Sequence, residues 1–234
     1  MVNERIRLSM NYEWSFLLGD SEKINLISHG DIYNASKAGG KNGPASPSYN
    51  ARNWRILNIP HDYMIEQNVN KNAAADWGYR PKNNAWYRKS FFIDNNYQGN
   101  KIVLQFEGIA TESTIYLNGS IIKRNFSGYN SFSVDITDRV LFDVPNVLAI
   151  YINGEAFEGW WYEGQGLYRN IWLDILPPVH FIEEPYICCT KITETDWTVN
   201  VTGIISGDAA GKNVIVRKKI LDYLDNTIAQ FDEQ

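Results

Sequence analysis

Residues Phe157 to Gly166 read Phe-Glu-Gly-Trp-Trp-Tyr-Glu-Gly-Gln-Gly, an aromatic and acidic run punctuated by glycine. Sugars present apolar C–H faces beside hydroxyls, so a saccharide site combines flat rings with carboxylates or amides as directional acceptors. Both ingredients are here, in Trp160 and Trp161 and in Glu158. A second group is Trp77-Gly-Tyr-Arg80, on a patternless stretch from Asn68 to Asn84, where Tyr79 can stack and Arg80 can donate. Each group has a competing use. Trp161 and Tyr162 suit packing against the body of the domain or a neighbouring domain, and Trp77 to Arg80 suit a loop anchor.

Other chemistry is weaker. Glu158 and Glu163 offer a carboxylate pair, but a loop with no rigid scaffold does not hold two carboxyls at a working separation, which favours solvated acids. His61 and Asp62 are consecutive, and in an extended segment consecutive side chains point to opposite faces. Structural hydrogen bonding after Pro60 is therefore the better reading than catalysis. Arg169, beside Tyr168, fits an ion pair or a stacking contact within the domain. His29, His61 and His180 are far apart and lack metal-ligand spacing, and Cys188 and Cys189 are neighbours, which rarely bridge each other. Neither a metal nor a cofactor is expected. The sequons at Asn34, Asn118, Asn125 and Asn200 are chance occurrences in an Asn-rich chain.

The elements that must position these residues read as strands almost throughout. Lys101–Glu107 puts Ile102, Leu104 and Phe106 on one face, and Ser131–Thr137 does the same with Phe132, Val134 and Ile136, as half-buried strands do. Thr114–Ile122 reads as a hairpin closed by Asn118-Gly119, the pair that suits a type I′ turn. Asn146–Ile152 is apolar on both faces, and Leu167–Leu176 returns to strand character. From His29 to Asn53, Gly, Ser, Asn, Lys and Pro predict a surface insertion rather than packed structure. Pro177-Pro178 marks a boundary between residues 1–178 and 179–234. A second strand series follows at Tyr186–Ile192, Trp197–Ile205 and Asn213–Asp222. It is roughly half of the ~100 residues an immunoglobulin-like sandwich needs, so an incomplete domain with exposed edges is expected. Many short strands imply an all-β antiparallel sandwich.

Composition narrows the function classes. The 234 residues are 44% hydrophobic and 21% charged, which excludes disorder. A net charge of −5 without a basic run argues against nucleic acid. No apolar stretch approaches membrane-spanning length. The first ten residues lack a signal-peptide core, which leaves cytoplasm, or periplasm and exterior after signal removal, as alternatives.

Four segments resemble, in order, the N-terminal portion of glycoside hydrolase family 2, the β-galactosidase, β-glucuronidase and β-mannosidase group. They are Trp14–Asp20; Ile59-Pro-His-Asp-Tyr63; Trp86–Phe91 with Phe106–Ile109 and Tyr116-Leu-Asn-Gly119; and Tyr162-Glu-Gly-Gln-Gly-Leu-Tyr-Arg-Asn-Ile-Trp-Leu173. The resemblance covers residues 1 to about 178 and is most like bacterial β-galactosidase, with the remainder similar to the start of the family's immunoglobulin-like domain. It implies a jelly-roll, galactose-binding-type sandwich ahead of an immunoglobulin-like domain and a (β/α)₈ barrel. It also implies retaining hydrolysis by two barrel glutamates, neither of which can be placed on this chain. No catalytic residue is therefore expected. The resemblance adds weight to Glu158, Trp160 and Trp161, since the family's corresponding loop approaches the active-site mouth, with Trp77, Tyr79 and Arg80 as the second group. The expected role is to shape a glycoside site and brace the barrel of the same polypeptide. The alternatives are a free-standing carbohydrate-binding module, and a structural domain that forms a homo-oligomer through apolar surface.

Overall fold

The computed structural model describes residues 4–20, 43–156, 159, 163–182, 184–206, 210–211 and 213–233. The chain falls into two compact units, Met1–Leu176 and Pro177–Gln234. Strands of the first unit are β1 (Ile6–Ser9), β2 (Trp14–Leu18), β3 (Arg55–Leu57), β4 (Ala85–Phe92), β5 (Lys101–Phe106), β6 (Glu112–Leu117), β7 (Ser120–Asn125), β8 (Phe132–Asp135), β9 (Pro145–Asn153) and β10 (Ile171–Leu176). They form a four-stranded sheet, β1-β10-β5-β8, and a six-stranded sheet, β3-β2-β4-β9-β6-β7. Every pairing is antiparallel. This is the jelly-roll β-sandwich.

Alternation places the core. Ile102, Leu104 and Phe106 of β5 and Ile171, Leu173 and Ile175 of β10 belong to one buried cluster with Trp14, Phe16, Tyr87, Ile115, Leu148, Ile150 and Ile152 of the larger sheet. On β10 the next residue out of phase is Asp174, buried yet acidic, and two arginines from the chain start close over it. Arg7 is its register partner on β1 and donates through Nε and Nη2 at 2.8 and 2.9 Å, and Arg5 adds a third bond at 2.6 Å. Burial pushes the Asp174 carboxyl up, but the bonds from Arg7 and Arg5 outweigh it and hold it below the usual range.

The hairpin forms as its turn chemistry dictates. Asn118 and Gly119 both have positive φ, 50° and 86°. The patternless insertion departs from expectation. Residues 29–42 lie outside the described residues, but residues 43–54 are packed structure. Ala45 and Trp54 are buried with Trp86, Tyr116 and Ala149 in a second cluster on the outer face of the six-stranded sheet. Buried Arg88 ties that segment down, Nη1 donating to the Pro44 carbonyl at 2.8 Å and Nη2 to that of Pro47 at 2.9 Å. This cover explains why β9 is apolar on both faces: Ile150 looks into the sandwich and Ala149 under the outer segment.

In the second unit, β11 (Tyr186–Lys191) pairs with β12 (Trp197–Thr202), and β13 (Val216–Leu221) with β14 (Thr227–Glu233). Most of their residues are exposed. Cys188 and Cys189 are unbridged on β11. No helix among the described residues is long and apolar enough to cross a membrane.

Candidate functional site

The loop between β3 and β4 is fastened to its own backbone. Asn70 donates its N–H to the Tyr79 carbonyl at 2.7 Å. One 3₁₀ turn, Ala75–Trp77, ends at Gly78 and Tyr79, with φ of 62° and 57°. Two left-handed residues in succession reverse the chain, and glycine carries the first of them without strain. Arg80 Nη1 donates to the carbonyls of Ile65, at 2.7 Å, and Gln67. Its first use is therefore as the anchor of the loop. Tyr79 is half exposed.

Trp77 lies deeper. The Lys82 ammonium sits 3.4 Å from the centre of its ring, at cation–π range, and also donates to the Ala156 carbonyl at 3.1 Å. Burial lowers the Lys82 pKa, and the nearby Glu163 charge pulls the other way. Around this lysine, three polar atoms are buried with no hydrogen-bond partner among the described residues: Nε1 of Trp77 and both carboxylate oxygens of Glu163. The sequence reading of Glu163 as a solvated acid therefore does not hold. Gly159 lies against it, where a Cβ would come within 2.7 Å of Oε1.

A polar frame holds these groups. Gln165, 1% exposed, takes the Asn83 N–H on Oε1 at 3.2 Å and donates through Nε2 to the Gly154 carbonyl. Its backbone N–H bonds Asp62 Oδ1 at 3.0 Å, and its carbonyl accepts from Tyr63 at 2.9 Å. The Tyr63 hydroxyl reaches the Asn83 carbonyl at 2.7 Å. Gln165 thus joins the segments around residues 83 and 154 through its side-chain amide and the segment around residue 62 through its backbone. Glycine is required at 154, since a Cβ there would collide with the Asn83 carbonyl.

Asp62 serves this frame, and His61 serves another. His61 Nδ1 is 2.6 Å from the Tyr87 hydroxyl, and Nε2 is 2.9 Å from Arg55 Nη2 and 3.2 Å from Glu66 Oε1. Arg55 also bonds Glu66 at 2.7 Å and lies over Phe16. Two adjacent residues so enter different networks, as opposite faces require. Arg169 lies over the Tyr168 ring at 5.4 Å.

Of the six predicted contact residues, Trp77, Tyr79 and Arg80 share one loop, while Glu158, Trp160 and Trp161 lie outside the described residues. Lys82 escaped the sequence reading, and Glu163 enters it only as a carboxylate partner of Glu158, set aside as a solvated acid. Lys82 follows Pro81 in no pattern, and the one signal for Glu163 is an acid set between Tyr162 and Gly164. Chemically, the group offers one N–H donor and two carboxylate acceptors beside an aromatic ring and a cation. A polyol fits this set, because a hydroxyl both donates and accepts. No group of three or more His, Cys, Asp or Glu that could hold a metal occurs among the described residues.

Residues 57–164 match the glycosyl hydrolase 2 galactose-binding domain-like family. These residues carry the galactose-binding-like domain of glycoside hydrolase family 2. A β-galactosidase of Bacteroides ovatus is 29% identical over 98% of this chain and 25% of its own length. A β-glucuronidase of Formosa agariphila is 24% identical over 94% of this chain and 23% of its own. Among solved structures, a family 2 member from Bacteroides cellulosilyticus superposes with a TM-score of 0.81 at 27% identity, over 97% of this chain and 28% of that one. The chain thus spans about a quarter of the length of these relatives, and the family 2 domain lies within its first unit.

Proposed function

We propose that this chain is the N-terminal, non-catalytic portion of a retaining glycoside hydrolase acting on a β-galactoside or a related glycoside. Its jelly-roll unit lends one wall to the substrate site and braces a catalytic barrel supplied elsewhere in the same polypeptide. The relatives named as β-galactosidases and β-glucuronidases, each about four times as long, support the assignment to such an enzyme. The observation that carries direct sugar contact is the group around Lys82, where the Trp77 indole N–H and both Glu163 oxygens are buried without a partner among the described residues. Leaving such atoms unpaired costs about 1–3 kcal/mol each, a cost that ligand hydroxyls or bound water relieve. Glu163 would accept from sugar hydroxyls and Trp77 would donate to one. Glu158, Trp160, Trp161 and Tyr79 would extend the contact, and Arg80 would hold the loop in place.

Tryptophan fluorescence and calorimetry with galactose, glucuronic acid, mannose and lactose test this reading. A saturable change with one sugar is expected near millimolar affinity, about 4 kcal/mol, as few atoms are buried. Glu163→Gln and Trp160→Ala should each weaken it several-fold. Silence with every sugar would remove the contact role and leave bracing alone. Turnover of a chromogenic β-galactoside by the purified chain would overturn the non-catalytic assignment.

A further inference from the structure

A cleft of about 780 Å³ opens on the outer face of the six-stranded sheet, at the far end of β4 from Lys82. Its floor comes from β2, β3 and β4, through Ser15, Ile56, Arg88 and Ser90, and its rim from the outer segment, through Tyr49 and Arg52. Nothing in the proposed glycoside site uses it.

Its charge is out of character with the chain. The protein carries a net charge of −5, yet the cleft gathers Arg52, Arg88 and Lys89 against one acid, Glu13. Arg88 is decisive. It is 7% exposed, and its hydrogen bonds among the described residues go to neutral carbonyls, those of Pro44 and Pro47. No carboxylate pairs with it among the described residues, and burial lowers its pKa with only the Tyr49 phenol opposing. A buried cation normally has a counter-charge, and a guanidinium bound to two carbonyls keeps three of its five N–H donors. Lys89 spends one donor on the Tyr12 carbonyl at 2.6 Å. The Arg52 side chain is exposed and makes no ion pair among the described residues.

We propose that this cleft binds a carboxylated saccharide. The carboxylate would lie between Arg88 and Arg52, where forked donors suit it, and the sugar hydroxyls would meet Ser15, Ser90 and the Tyr49 phenol. Hydroxyl-rich walls distinguish this from a bare anion site. The volume lies within the roughly 300–1,000 Å³ common for small-molecule pockets, enough for a disaccharide.

Calorimetry with digalacturonic acid, lactose and inorganic phosphate tests the proposal on the intact chain. Saturable binding of digalacturonic acid is expected, weakening as salt is raised, with lactose and phosphate at least tenfold weaker. Arg52→Ala, at an exposed position, should weaken binding about tenfold. Arg88→Lys, which keeps the charge and loses the fork, should do the same. Should that variant unfold, Arg52→Ala still decides. Glu163→Gln should leave this binding unchanged, which separates the cleft from the Lys82 group. The proposal is overturned by no saturable heat, by lactose or phosphate binding as well as the acid, by affinity surviving in Arg52→Ala, or by its loss in Glu163→Gln.

Discussion

His61 meets groups that each give or take a proton, and its burial decides which form it keeps. With Nε2 facing the Arg55 donor at 2.9 Å and Nδ1 facing the Tyr87 hydroxyl at 2.6 Å, the neutral ring carrying its proton on Nδ1 satisfies both neighbours. Burial lowers its pKa, while the Glu66 bond opposes and the Arg55 charge reinforces. The unfolded chain therefore takes up a proton below the ordinary histidine value of about 6.5 while the folded chain does not. Stability should be complete above that pH and fall between about 6.5 and the lower folded value, by at most about 1.4 kcal/mol per pH unit. Denaturation midpoints from pH 5 to 8 check this, and His61→Gln should flatten the slope. Glu66→Gln should depress the His61 value further, since it removes the group that favours the charged ring, and the ring-proton NMR titration would read it. A slope unchanged in His61→Gln would assign the pH dependence elsewhere.

At the scale of elements, one side chain fastens the turn of the β6–β7 hairpin to β9. Asn118 takes the left-handed conformation, accepts from the Val147 N–H at 2.8 Å and donates to Asn146 Oδ1 at 2.9 Å, so it closes the turn and clamps it to β9. Asn118→Ala loses both bonds and is strained at positive φ, with an expected loss of about 2 kcal/mol in chemical denaturation. Asn118→Gly, which relieves the strain and still loses the bonds, should lose less. That hairpin was readable because its partners are adjacent in sequence and its turn has a two-residue signature. β1 was not, since its partner β10 is some 160 residues away and its own outward residues, Arg7 above all, are polar. Nor was the packing of residues 43–54. Their burial depends on Trp86 and Ala149 presenting a second apolar face, which periodicity within the segment itself does not record. The site divides in the same way. Trp77, Tyr79 and Arg80 stood out as residue types, whereas Lys82 and Glu163 matter only because Gln165 bolts their two segments together.

Across the whole molecule, stability is unevenly distributed. The first unit encloses a core of fully buried side chains such as Trp14, Tyr63, Tyr87 and Phe106. The second offers two-stranded ladders whose apolar residues stay open: in register on one face of the β11–β12 pair, Ile187 opposes Val201, and Val199 and Trp197 follow along the strand, each at least 40% exposed. Two-stranded ribbons are marginal alone, because little area is removed from water per ordered residue. We read this unit as part of an immunoglobulin-like sandwich whose facing sheet would cover such residues. Limited proteolysis should then cut within Tyr186–Gln234 well before the first unit, leaving a resistant fragment that ends near Leu176. Amide exchange should follow the same order, with β11 to β14 exchanging faster than β4, β9 and β10. Equal resistance of both units would mean that the ladders are stabilised by contacts of their own, and the reading of an uncovered sheet face would fall. If Trp197→Ser and Val199→Ser left the first unit's melting transition unmoved while reducing self-association at high concentration, the exposed face would be the sticky element, as an uncovered half of a sandwich requires.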